Sequence, residues 1–469
     1  MNVVPITTAS IESVQRRCEW FRYSLIIKLV VAACFLLSPL WLWALFFSNS
    51  QAPYAPSLVF VPLAVIGCMV GFMPLWRGDP YLKQLLRAGI LARLAAASLY
   101  IWIGFFVYDT SVDAFHYWSV GMHLADDFSV VGWSVFQPPY TSTNLINNIC
   151  GFIMLATGNT LPTLFVLFAL AALWGGYFFY RAFSISFPTG DQWLFGLLTV
   201  LLPSNLFWSS AIGKDSLAQL FIGISAYGFA RVNEKLGARS IAICSVGIAG
   251  MLVIRPHIAA MLALSITLPF AIGKTKGGWM NLAARIILIP ALVWLSLIII
   301  SQAGQFVGVE TADSQSSIET VNRLTQRTQV GGSAFNSGQS LGARIAESPF
   351  LMFRPLPWEV NNAMGAVASL EAMGLLFFAW SRRRNFLNAL RNWREPFIAF
   401  ILMYSFVFSV AFAAATSNFG ILARERIMMV PLLLMLFCAK PQTPSGMRPV
   451  LERDLRGMLS VAKPTRAQS

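Results

Sequence analysis

Long apolar runs separated by short polar and basic segments dominate the chain. About 20 apolar residues in a helix suffice to cross the hydrocarbon of a bilayer. By that measure membrane-spanning helices are predicted near 25–47, 57–76, 89–108, 160–180, 191–208, 215–231, 239–254, 258–273, 285–303, 362–380, 397–415 and 423–438. One further stretch, 143–158, carries Asn144, Asn147 and Asn148, which suit a re-entrant or interfacial helix better than a lipid-facing one. The pattern describes an all-α fold: a polytopic transmembrane bundle of about 12 spans with two long outer-face loops, near 109–160 and 301–361. The first run follows Arg16, Arg17 and Arg22. It is longer than a signal-peptide core and lacks a small-residue cleavage site, so it is read as a retained span.

Composition agrees. Hydrophobic residues make up 57% of the 469 and charged residues only 12%, where a soluble domain carries about 25%. The formal charge of +14 first suggests a nucleic-acid partner, but the placement of the charges argues for topology instead. With residues 1–24 in the cytoplasm, 25 of the 34 Lys and Arg fall on inner segments, Arg93 among them at the mouth of the third span. Eight fall on outer segments and Lys28 lies within the first span. The positive-inside rule then puts both termini in the cytoplasm, with 439–469 as a basic, disordered tail. The six cysteines form no close pair and read as small apolar side chains, so neither a disulfide framework nor a cysteine metal site is expected.

The polar chemistry collects at the outer span ends. After the third span comes DTSVDAFHYW, Asp109 to Trp118, in a loop with four acids and no Lys or Arg. A carboxylate there suits general-base work on a hydroxyl, with His116 three residues beyond Asp113 on the same helical face. The same segment reads equally as an interfacial helix with its aromatic residues at headgroup depth. PSNLFWSSAIGKDS forms a tight outer hairpin that ends on Lys214 and Asp215. Lys214 suits an anionic headgroup or a diphosphate, or snorkels from a capped hairpin. RPH supplies Arg255 and His257, FRPLPWE supplies Arg354 and Glu359, and ARERIMMVP supplies Arg424 and Arg426. Arginine binds phosphate in bidentate fashion. Arginines opposite the acids of the first loop therefore fit a lipid-linked phosphate donor and a hydroxyl acceptor. Glu371, midway along the tenth span, must face the bundle interior, as a structural hydrogen bond first and a proton path second. GxxxxGK[ST] and HExxH are missing from the sequence, which leaves an ATP-driven pump without support.

With its acidic first long outer loop, DTSVDAFHYW, the chain resembles the membrane glycosyltransferases of the C superfamily. FWSSAIGKDS, RPH, FRPLPWE and ARERIMMVP are similar to segments of membrane proteins from bacterial surface-polysaccharide clusters. The twelve-span plan, with Arg327 and Gly338 in the second long loop, is similar to O-antigen polymerases and ligases. The acidic loop here follows the third span, where the typical transferase has it after the first. The resemblance implies a glycosyltransferase or polysaccharide polymerase of the bacterial inner membrane, drawing on a polyprenyl-phosphate-linked sugar. Asp113 or Asp109 would be the base. Lys214, Asp215, Arg255, Arg354, Glu359, Arg424 and Arg426 would form the phosphate and substrate site, and His116 and His257 would orient acceptor or phosphate. No clear DxD pair is present, so no cofactor or metal is expected. Membrane lipid and other polysaccharide-assembly proteins are the expected partners. A flippase of lipid-linked glycans and a non-enzymatic subunit of a polysaccharide complex are the rival expectations.

Overall fold

The computed structural model describes residues 28, 55–136, 138, 140–272 and 346–440. The predicted first span apart from Lys28, the ninth span, Arg327, Gly338 and the basic tail beyond Lys440 lie outside them. The described chain is helical, with no strand among the described residues. Four helices are long and apolar enough to cross a membrane: Pro80–Phe106, Leu161–Ser186, Ala363–Ser381 and Pro396–Ala413. Shorter apolar helices accompany them.

In chain order the helices are α1 (Ala55–Phe72), α2 (Pro80–Phe106), α3 (Asp113–Val131), α4 (Ser142–Thr157) and α5 (Leu161–Ser186). Then come α6 (Gln192–Leu201), α7 (Pro203–Trp208), α8 (Lys214–Glu234), α9 (Ala238–Ile254) and α10 (Pro256–Ile272). After the undescribed stretch follow α11 (Ala363–Ser381), α12 (Arg383–Arg391), α13 (Pro396–Ala415), α14 (Phe419–Glu425) and α15 (Val430–Cys438). Their starts follow capping chemistry. Asp79 accepts from the Leu82 amide with Pro80 at the first helical position, so α2 begins a full two turns before its apolar run. Asp191 caps α6, Asn362 caps α11 and Asn418 caps α14 in the same way.

Two predicted spans are not single helices. The run 191–208 breaks at Leu202, whose backbone is extended (φ −60°, ψ 127°), because Pro203 has no amide hydrogen with which to continue the ladder. The run 423–438 is divided among α14, a 3-10 turn at Arg426–Met428 and α15. The loop 109–160 also differs from a plain loop. It folds into α3 and α4, which pack on each other where Gly121 faces Cys150 and Gly151.

Small residues let the central helices touch. A Cβ at Gly175 of α5 would fall 2.4 Å from the Gln219 carbonyl oxygen of α8, and one at Gly228 of α8 would fall 2.4 Å from the Cys244 amide of α9. Close approach through small residues is how helices pack where lipid removes the hydrophobic drive. Outward, α11 presents Leu370 (77% exposed) and Phe377 (75%), and α1 presents Leu58, Val59, Leu63 and Ile66, the surface that hydrocarbon contact requires.

Candidate functional site

The ends of five segments meet in one charged cluster. Asp215 lies in the first turn of α8, where the helix dipole favours an acid. It is buried, and two arginines hold it: Arg255 Nη2 donates to Oδ1 at 2.6 Å and Arg424 Nε donates to Oδ2 at 2.5 Å. Arg255 occupies the single-residue link between α9 and α10 and also pairs with Glu425 at the end of α14. Burial works against the charge on Arg255, but the carboxylates of Glu425 and Asp215 more than offset it and raise its pKa. Arg424, in the last turn of α14, reaches outward as well, donating from Nη1 to Asp113 Oδ2 at 2.8 Å. Asp113 is in the first turn of α3 and its side chain is 58% exposed.

Lys214 completes the cluster. Its Nζ donates to Ser142 Oγ at 3.0 Å and Thr143 Oγ1 at 2.9 Å, both in the first turn of α4. Those acceptors are neutral hydroxyls, and an ammonium carries three donors. Gly213 turns the chain into α8 with φ 156°, and a Cβ there would lie 3.5 Å from the ring of Tyr117. The cluster therefore holds three cations, Lys214, Arg255 and Arg424, and three anions, Asp113, Asp215 and Glu425.

A second network adjoins it through the next residue of the chain. Arg426 is 1% exposed, donates from Nη2 to Glu371 Oε1 at 3.0 Å, and donates from Nη1 to the carbonyl oxygens of Met352 and Arg354. The other Glu371 oxygen accepts the Ser204 amide at 2.6 Å, at the break before α7. Glu371 thus faces inward as a fixed ion-pair partner. Arg354 pairs with Glu359 at 2.6 Å and lies over the Phe419 ring at 5.2 Å.

The expected site residues accordingly divide. Asp113, Lys214, Asp215, Arg255 and Arg424 converge, and His257 lies within electrostatic range of Arg255 and Lys214. Asp109 does not join them. It lies exposed in the turn before α3 with φ 45°. His116 is exposed one turn beyond Asp113. Arg426 is sealed in the bundle by Glu371 and two carbonyls, which leaves it no open face for a phosphate. Arg354 and Glu359 satisfy each other beside the cluster.

Other residues belong here that sequence reasoning gave no role. Glu425 is the buried partner of Arg255, and its place between two arginines at a helix end was the signal. Ser142 and Thr143 carry no signal until Lys214 meets them. Arg93 is a correction. It is not at a cytoplasmic mouth but near the middle of α2, 1% exposed, donating to Ser209 Oγ, Ser210 Oγ and the Asn205 carbonyl oxygen. The segment predicted as an outer hairpin is therefore partly inserted, with Ser209 and Ser210 fully buried. Among the described residues no group of three or more His, Cys, Asp or Glu is arranged to hold a metal.

At the far end of α15, which leads away from the cluster, Arg382 pairs with Asp191 at 3.1 Å and Asn385 donates to the Phe437 carbonyl. The charged cluster thus occupies one end of an all-helical bundle that has four helices suited to crossing a membrane. Comparison with protein-family models, with curated proteins and with solved structures finds no match.

Proposed function

We propose that the protein is an integral membrane glycosyltransferase or polysaccharide polymerase that uses a polyprenyl-phosphate-linked donor at the outer face of the cytoplasmic membrane. In this reading about twelve spans place both termini in the cytoplasm. The observation that carries it is the pairing of Asp113, the exposed acid of the first long loop, with Arg424, 311 positions away, at a cluster containing Lys214. An acid beside two cations is what transfer from a phosphate requires. Asp113 takes the proton of an acceptor hydroxyl while the acceptor oxygen attacks the anomeric carbon. The carbon–oxygen bond to phosphate breaks, and the leaving phosphate keeps that electron pair. Lys214 and Arg424 hold its charge, and buried Arg255, Asp215 and Glu425 hold Arg424 in place. His257, within electrostatic range of Lys214, and exposed His116, one turn beyond Asp113, are assigned to orient acceptor or phosphate.

The broken helix at Pro203 favours a second reading, a transporter of lipid-linked glycans, since broken helices line transporter sites. One assay separates the two. Purified protein is given polyprenyl-linked glycans from the host, and wild type is compared with Asp113→Asn and Arg424→Ala. Extended product from wild type and its loss, at least about 100-fold, in both variants is the expected result. No product from any host glycan, with glycan movement across reconstituted vesicles instead, would establish the transporter.

A further inference from the structure

Arg424 offers five N–H donors, and a phosphate seated on its Nη1 edge competes with Asp113 there. Its Nη1 is committed to Asp113 at 2.8 Å, while its Nε is committed to Asp215 at 2.5 Å. We infer that Asp113 occupies the anion position of this site as a stand-in, and that a phosphate-bearing ligand displaces it from Arg424, so that the ligand itself frees the acid. This rests on the transferase reading for its purpose but not for its test.

The two acids on Arg424 differ in what releases them. Asp215 is 6% exposed and shared with Arg255, so its departure would take a carboxylate from buried Arg255 and from partly buried Arg424 at once. Asp113 is 58% exposed, and Arg424 is the cation recorded as its ion-pair partner among the described residues. An exposed pair shifts an equilibrium by only about two- to fivefold. Asp113 is thus the partner that yields. A rotation of its own side chain suffices, since it stands at the start of α3 facing water.

Charge sets the direction. With Asp113 in place the six charges cancel. Without it the fixed groups are Lys214, Arg255 and Arg424 against Asp215 and Glu425, a surplus of one positive charge. Lys214 lies within electrostatic range of both Asp113 and Arg424, and its two recorded partners are hydroxyls. It is therefore available to the same anion. In the transferase reading binding becomes ordered: the donor phosphate takes Arg424 first, and only then does Asp113 turn to the acceptor hydroxyl.

The test is a binding measurement on the full chain in detergent, by calorimetry, with farnesyl phosphate and separately with inorganic phosphate. Removing the competitor should tighten binding, so Asp113→Asn is expected to bind farnesyl phosphate about two- to fivefold more tightly than wild type. Asp113→Glu, which keeps the stand-in, should restore the wild-type value. In an Arg424→Ala background, Asp113→Asn should bring no gain. Tightening seen with inorganic phosphate too would support the exchange and assign recognition to the phosphate alone. Tightening confined to farnesyl phosphate would support it with a lipid requirement. Equal or weaker binding by Asp113→Asn, or no binding by any form, overturns it. If Asp113→Asn binds more tightly but wild type transfers no sugar, the exchange stands and the transferase reading fails. Transfer by wild type without that gain has the opposite meaning.

Discussion

Asp215 and Asp113 share one arginine and experience different surroundings. Asp215 is buried between two guanidinium groups, whereas Asp113 faces water. Removing one partner of a buried pair typically costs about 3–5 kcal/mol, because the remaining charge stays buried without compensation. Asp215→Asn should therefore lower stability by that order in a detergent unfolding series, and Asp113→Asn by less than about 1 kcal/mol. Equal losses would mean that the cluster is not layered from a buried base to an exposed rim. At this scale the participants were legible and the partnerships were not. Lys214, Arg255 and Arg424 stand out in the sequence because each interrupts or borders an apolar run. Nothing local tells that Arg424 meets Asp215 at 209 positions and Asp113 at 311, or that neighbouring Arg426 turns inward to Glu371 instead. Those choices belong to the helix arrangement.

Among the elements, apolar runs marked the helices well where the helix is uniform in character. The runs 239–254 and 397–415 nearly coincide with α9 and α13. Hydropathy failed at the break at Leu202, since the side chains before it stay apolar, whereas the break between α14 and α15 falls beside Arg424, Glu425 and Arg426 at the edge of its run. It failed also at α2, whose first turns carry Lys83 and Arg87 but are set by the Asp79 cap. The central contacts of α8 with α5 and α9 rest on glycines, which propensity marks as unfavourable in helices. A Cβ at Gly223 would come 2.5 Å from the Gly175 carbonyl oxygen, so the helices must separate to admit it. Gly223→Ala is expected to destabilise by about 1–3 kcal/mol. Gly67→Ala, on α1 with open space where the Cβ would go, is expected to be neutral or to stabilise by up to about 1 kcal/mol. Thermal unfolding of both variants in one detergent compares them directly, and similar melting of the two would refute close packing at the α5–α8 crossing.

The whole molecule is organised by which helix ends lie together. The Asp113–Arg424–Asp215–Arg255 cluster gathers one set, and Asp191–Arg382 with Asn385–Phe437 gathers the other. The basic residues of α12 lie with the second set, so in the topology proposed above, which follows the positive-inside rule, that end would face the cytoplasm and the cluster the outside. His116 and Arg384 are exposed and belong to the two opposite sets, which makes them suitable reporters. In intact cells a membrane-impermeant thiol reagent should label His116→Cys, and should reach Arg384→Cys only after permeabilisation. Cys68, Cys150, Cys244 and Cys438 are buried, and the unsubstituted protein gives the background from the rest. Labelling of both positions from one side would mean that the two sets of helix ends do not face opposite compartments, and the bundle would have to be threaded differently. Clean labelling with the sides exchanged would leave the packing intact and turn the cluster toward the cytoplasm. There nucleotide-activated sugars are at hand, and the argument for a lipid-linked donor would lose its main support.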